Sequence, residues 1–148
     1  MKILIGTDGS TYSRKAIGEC CRMFAEKDDL QFKIVSNYEA AVPLDAFATT
    51  AQFADQRNQA AQETAENNVA EAVELIREKI PGVSIETVVA MDFPERFIVE
   101  EARSWGADLI VMGSHGRGFW GRLTIGSVSN AVLHHAPCSV LIIHGDPQ

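Results

Sequence analysis

Short apolar runs alternate with stretches of helical periodicity along the chain, and that alternation predicts β-α-β units wound into a parallel sheet. Lys2 to Thr7 reads as a first strand. A helix from about Thr11 to Glu26 then carries Ala16, Ile17, Cys20, Met23 and Phe24 at helical spacing, with Ser10 or Thr11 as its cap. Phe32 to Asn37 is a second strand. The polar, alanine-rich segment Tyr38 to Phe53 has no clear period, and a long helix beginning near Asp55 aligns Val69, Val73, Ile76 and Ile80 before Pro81 and Gly82 end it. Val83 to Val89 is a third strand. Asp92, with Pro94 and Glu95 behind it, predicts a capped start to a helix bearing Phe97, Ile98, Ala102 and Trp105, and Gly106 stops that helix. Asp108 to Met112 is a fourth strand, Ser127 to His135 a short helix and Cys138 to His144 a fifth strand.

The strands differ in pattern. Ile3 to Ile5, Leu109 to Met112 and Val140 to Ile143 are unbroken apolar runs, which belong to strands covered on both faces, whereas Phe32 to Ile34 and Val83 to Ile85 alternate with polar neighbours. The alternating pair is expected towards one side of the sheet.

Composition narrows the partners. One domain spanning 1–148 is expected from a length of 148 residues, long enough to bury about two-thirds of the surface the unfolded chain exposes. Hydrophobic residues at 46% and charged residues at 22% place it among globular proteins, and a net charge of -7 opposes nucleic acid and anionic membranes at long range. No run approaches the roughly 18 apolar residues of a membrane span. The opening MKILIGTDGS reaches Gly6 after three apolar residues, short of a signal-peptide core, and the odd count of Cys20, Cys21 and Cys138 fits reduced core thiols. A cytoplasmic protein is expected.

The chemistry concentrates after the fourth strand. Gly113 and Gly116 are followed after nine residues by Gly126 and Ser127, giving G-x2-G-x9-G-S with the first glycine leaving a strand and the last opening a helix. Such a segment can cradle an anion: glycines let the main chain approach it, and the free amides of the helix start point at it. Ser127 and Ser129 add hydroxyls. The string Gly116 to Gly121 also spells G-x-G-x-x-G, but a dinucleotide fingerprint follows an early strand with an acidic residue about 20 positions on, and here no acid comes before Asp146. The lysine-bearing phosphate loop is absent as well. Asp8, just past the first strand, is open between capping a turn and touching a ligand. His134 and His135 fall at a helix end, where the dipole favours them.

The opening ILIGTDGS, the segment ADLIVMGSHGRG, the spaced Gly-Ser and the ending APCSVLII together resemble the universal stress proteins, in particular the branch that retains an ATP-binding loop. That resemblance spans the whole chain. It implies a three-layer α/β/α fold of the adenine nucleotide alpha hydrolase kind, with a five-stranded parallel sheet in the order 3-2-1-4-5, and a ligand crevice where the order reverses. It implies Gly6 and Asp8 near the sugar and Val35 near adenine. Met112, Gly113, His115, Gly116, Gly126, Ser127, Val128 and Ser129 are implied along the ribose and phosphates, Arg117 beside them, and a divalent cation, Mg or Mn, at Asp8. The fifth strand would be an edge bearing neither charge nor proline, so something should cover it. The resemblance implies the same strand of a second copy, hence a homodimer. The function so implied is a dimeric, ATP-dependent regulatory or stress-response module that acts on an unknown protein partner. The alternative is a slow ATP hydrolase or phosphoryl-transfer enzyme, against which stand the lack of a lysine in the loop and of a base to orient water.

Overall fold

A computed structural model of the chain describes residues 1–40, 51–115 and 125–144. The elements are β1 (Lys2–Gly6), α1 (Thr11–Phe24), β2 (Gln31–Tyr38), α2 (Ala51–Lys79), β3 (Ser84–Met91), α3 (Pro94–Trp105), β4 (Leu109–Gly113), α4 (Ser127–His135) and β5 (Ser139–Ile143). Every pairing in the sheet is parallel and the order is β3-β2-β1-β4-β5. The expected fold class and strand order are those observed.

Successive strands step outward from β1 through β2 to β3, then the chain crosses back to β4 and steps the other way to β5. Right-handed crossovers taken in opposite directions put their helices on opposite faces. One core therefore packs Ile3, Ile5, Phe32, Ile34 and Val111 against Ala16, Ile17 and Cys20 of α1 and Val69, Ala72 and Ile76 of α2. The other packs Leu4, Val35, Ile110 and Met112 against Phe97, Ile98 and Ala102 of α3 and Val132 of α4.

Local signals account for most boundaries. Ser10 caps α1, its Oγ accepting the Ser13 amide at 3.2 Å. α3 ends on Gly106 at φ 70 and ψ 49, and the next amide, Ala107, donates back to the Ala102 carbonyl at 2.9 Å. The start of α3 corrects the sequence expectation: its N-cap is Phe93, with no side-chain cap bond. Asp92 stands one residue too early. Its Oδ1 instead accepts from the Phe93 amide at 2.6 Å and from Arg96 Nε at 3.0 Å.

The alternation along β2 also meant something other than a half-exposed strand. Lys33 is buried on the α3 face, with Nζ 3.3 Å from Glu101 Oε2, 3.5 Å from Glu86 Oε2 and 5.3 Å from the centre of the Trp105 ring. Two carboxylates and an aromatic face make that burial tolerable. Only β3, at the edge, keeps an exposed pattern through Ser84, Glu86 and Thr87.

One prediction comes from the backbone and one from a buried side chain. Neither Gly18, inside α1, nor Gly106 would present a new Cβ to any atom within 4 Å, so the two positions differ only in conformation. Gly106→Ala should lose about 1–2 kcal/mol in urea denaturation because an L-residue resists the left-handed region, while Gly18→Ala should gain about 0.5–1 kcal/mol. The second prediction concerns a thiol. Burial, helped by neighbouring Cys21, pushes the Cys20 thiol up to about 12, so thiolate is scarce at neutral pH. Iodoacetamide should leave Cys20 unmodified in the native protein and label it once the chain is unfolded, as read by peptide mass.

Candidate functional site

Because the windings part between β1 and β4, the chain leaves those two strands towards opposite faces and a crevice opens above their carboxyl ends. A cavity of about 620 Å³ occupies it, on the α3/α4 face of the sheet. At the exit of β1, Gly6, buried Thr7 and Asp8 border the cavity. The turn there is tightly held: Thr7 Oγ1 lies 3.2 Å from Ser13 Oγ and accepts the Gly9 amide at 3.2 Å, and Asp8 Oδ1 accepts the Ser10 amide at 3.0 Å. Asp8 thus takes the turn-bracing role and borders the cavity as well.

At the exit of β4 stand Met112, Gly113 and His115, and across from them Gly126, Ser127, Val128 and Ser129 open α4. The main chain ties these segments together. The Gly126 amide donates to the Ser114 carbonyl at 2.8 Å, and the Ser129 hydroxyl to the Gly113 carbonyl at 2.8 Å. The Ser129 hydroxyl hydrogen is therefore taken up inside the protein, contrary to the expectation that it would serve as a donor to the anion. His115 Nδ1 sits 2.9 Å from Ser114 Oγ, and the ring lies 5.4 Å from that of Tyr12.

The glycines have a reason of their own. A Cβ on Gly113 would lie 2.7 Å from the Tyr12 carbonyl carbon and 2.9 Å from its oxygen, so glycine there lets the first turn of α1 press against β4. A Cβ on Gly126 would stand 3.2 Å from the Ser114 carbonyl oxygen. Part of the motif is thus a demand of main-chain packing. The start of α4 is another matter: its N-cap Gly126 makes no side-chain cap bond, and Gly126, Ser127, Val128 and Ser129 border the cavity, so the helix start lies beside it. At α1 the same need is met internally by Ser10.

The opposite end is apolar. Val35 from β2 and Pro94, Phe97 and Ile98 from the start of α3 line it, together with Asn37, Tyr38 and Glu39 at the exit of β2. All of the expected site residues within the described chain, Val35 included, border this one cavity. Gly116 and Arg117 lie outside the described residues, as do Trp120 and Arg122. Sequence reasoning missed Thr7, Ser13, Asn37, Pro94, Phe97 and Ile98, and it left open any contact from Tyr38 and Glu39, which fall in the aperiodic segment Tyr38 to Phe53. Phe97 and Ile98 had been read only as a core stripe, and Asn37 to Glu39 could have been found by noting that β2 ends beside β1. Among the described residues no cluster of three or more His, Cys, Asp or Glu could hold a metal ion, and no helix is long and apolar enough to cross a membrane.

A doubly wound parallel sheet with a cavity over its reversal, apolar at one end and lined by a helix start at the other, defines an α/β domain with a candidate ligand site. The chain belongs to the universal stress protein family, whose model matches residues 1–144. A universal stress protein of Mycobacterium bovis is 43% identical over 83 residues, covering 56% of this chain and 28% of its own length. A Staphylococcus epidermidis relative is 30% identical over 143 residues, covering 95% of this chain and 82% of its own. The chain spans less than half the length of the first curated relatives it matches. Among solved structures, the universal stress protein UspA from Lactobacillus plantarum superposes with a TM-score of 0.80 at 21% identity, over 97% of both chains. A universal stress protein in complex with cAMP gives 0.68 at 26% identity over 97% of both, and one from Arabidopsis thaliana with AMP bound gives 0.71 at 20% over 99% of this chain and 92% of that one.

The close approach at Gly113 can be tested against Gly6, where a new Cβ would meet side chains alone, tightest at the Ile98 Cδ1 methyl at 3.1 Å, with Ile98 Cγ1 at 3.7 Å and Met112 Cε at 3.8 Å. Gly113→Ala should lower stability by about 1–3 kcal/mol because backbone cannot yield, while Gly6→Ala should lose less because a methyl group can turn aside. Thermal denaturation of the two variants side by side reads the difference.

Proposed function

We propose that this chain binds ATP in the cavity and acts as a dimeric, nucleotide-dependent regulatory module of the stress response in the cytoplasm. The observation that carries the reading is the opposition within one cavity of an apolar wall, Val35, Pro94, Phe97 and Ile98, and the uncapped amides of Ser127, Val128 and Ser129. A base suits the first and a phosphate chain the second. Family membership and the adenine nucleotides held by two of the structural neighbours support the same ligand class. The attraction is local, so a net charge of -7 does not forbid it.

The residues fit a divalent cation that arrives with the ligand. Mg or Mn needs only one or two protein carboxylates when phosphates supply other oxygens, and Asp8 is placed for that at the β1 exit. Such a cation would neutralise phosphate charge beside the carboxylate. Nucleotide occupancy would be read by a protein partner through the α4 start or through the dimer. The dimer contact is β5: it stands at the sheet edge, with Val140 packed into one core and Leu141 and Ile143 into the other, so its open hydrogen-bonding edge is what a second copy would pair with.

Calorimetric titration of protein stripped of copurified nucleotide should show ATP binding, and silence at millimolar ATP would end the proposal. Asp8→Ala should weaken Mg-ATP more than metal-free ATP. Sedimentation should give a concentration-dependent dimer, and a constant monomer mass would remove the β5 contact from the account.

A further inference from the structure

Two overlapping side-chain turns shape the exit of β1. Thr7 Oγ1 accepts the Gly9 amide at 3.2 Å and, one residue on, Asp8 Oδ1 accepts the Ser10 amide at 3.0 Å. Between the two acceptors and α1 the chain passes through Gly9 at φ 70, the residue type with most freedom to leave such a turn. The Thr7 hydroxyl is what ties it back.

That hydroxyl is itself held from behind. Ser13 Oγ donates to the Ser10 carbonyl at 2.9 Å, and a carbonyl can only accept, so the single Ser13 hydrogen is used there. In the 3.2 Å contact between the two hydroxyls Thr7 must then be the donor. The Ser10 carbonyl also takes the Arg14 amide at 3.1 Å, which seats this chain of bonds in the first turn of α1. Thr7 and Ser13 both border the cavity, at 7% and 3% exposure, yet the hydrogens of both hydroxyls are committed inside the protein. The charge that this exit brings to the cavity border is that of Asp8.

Resting on the nucleotide reading and on the cation placed at Asp8 above, we propose that Thr7 is a positioning residue for that cation. Through Gly9 and Ser13 it fixes the turn that carries Asp8, so the carboxylate is set before the nucleotide arrives. A carboxylate on a loose turn would first have to be ordered, and that cost is subtracted from the affinity.

The quantity to measure is the ratio of Mg-ATP affinity to metal-free ATP affinity, by calorimetry. Thr7→Val keeps the branched shape and removes the hydroxyl, and the ratio should fall at least about fivefold, the worth of roughly one hydrogen bond. Thr7→Ser keeps the hydroxyl and should keep the ratio. An unchanged ratio in Thr7→Val overturns the proposal, and weakening of both nucleotide forms alike is that outcome, the mark of a purely structural role. An equal fall in Thr7→Ser overturns it too, because the hydroxyl would not be the cause. Should Thr7→Val fail to fold, the nucleotide-free wild type still decides: its Gly9 and Ser10 amides should exchange slowly with deuterium, and exchange as fast as in an unstructured peptide overturns the proposal. If Mg leaves the wild-type affinity for ATP unchanged, the cation and Thr7 readings fall while the nucleotide reading stands; if the wild type binds neither form, all three fall.

Discussion

The handedness of the crossovers is the constraint on which the rest depends. A right-twisted sheet accepts right-handed connections, and a chain that winds one way from β1 and the other way from β4 must send the two loops apart. No side chain is asked to hold the crevice open. What the side chains do is give its ends different character. The chain leaving β1 is braced by Thr7, Asp8, Ser10 and Ser13, so Asp8 is set on a rigid turn. The chain leaving β4 returns through Gly126, where main chain meets main chain at Ser114 and leaves the start of α4 facing inward.

The elements were legible from pattern alone because the strands are short and mostly unbroken and the helices begin and end on residues with a local reason, whereas the strand order came from the family resemblance. Ser10, Gly106 and Ser127 marked boundaries found within a residue, since capping and left-handed turns are decided by neighbours in sequence. Asp92 misled by one position. The capping-box pattern was present, but Pro94 at the first helical position makes Phe93 the cap, and the carboxylate found Arg96 instead. The alternating strands β2 and β3 do lie on one side of the sheet, as expected, but the burial of Lys33 was not legible, because its partners Glu86, Glu101 and Trp105 come from two other elements and no window of sequence brings them together.

The candidate site was legible where it follows a motif and hidden where it follows topology. Glycine spacing pointed to Gly113 and Gly126, although part of the reason for those glycines is steric: Tyr12 main chain stands where a Gly113 side chain would be. A motif can therefore mark a place correctly while its chemistry is shared between ligand and fold. Asn37 carries no motif. It joins the cavity wall because β2 ends beside β1, and its side chain is tied to the carbonyl of Asp92, a residue 55 positions away.

The two helix starts beside the crevice make a useful contrast. α1 satisfies its first turn with Ser10, whereas α4 begins on glycine and leaves its amides to water or to a ligand. A glycine N-cap such as Gly126 lowers helix stability by only roughly a few tenths of a kcal/mol by comparison with a serine or aspartate cap. Under the proposed function, an anion bound at the α4 start would recover that small deficit, and by linkage the helix start and the ligand would favour each other by the same free energy. Since α4 leads through Ala136 directly into β5, the helix that borders the cavity and the strand at the edge of the sheet are one continuous stretch of chain. A change at the cavity has a short mechanical route to the edge, and that is the physical basis on which occupancy could be communicated outward.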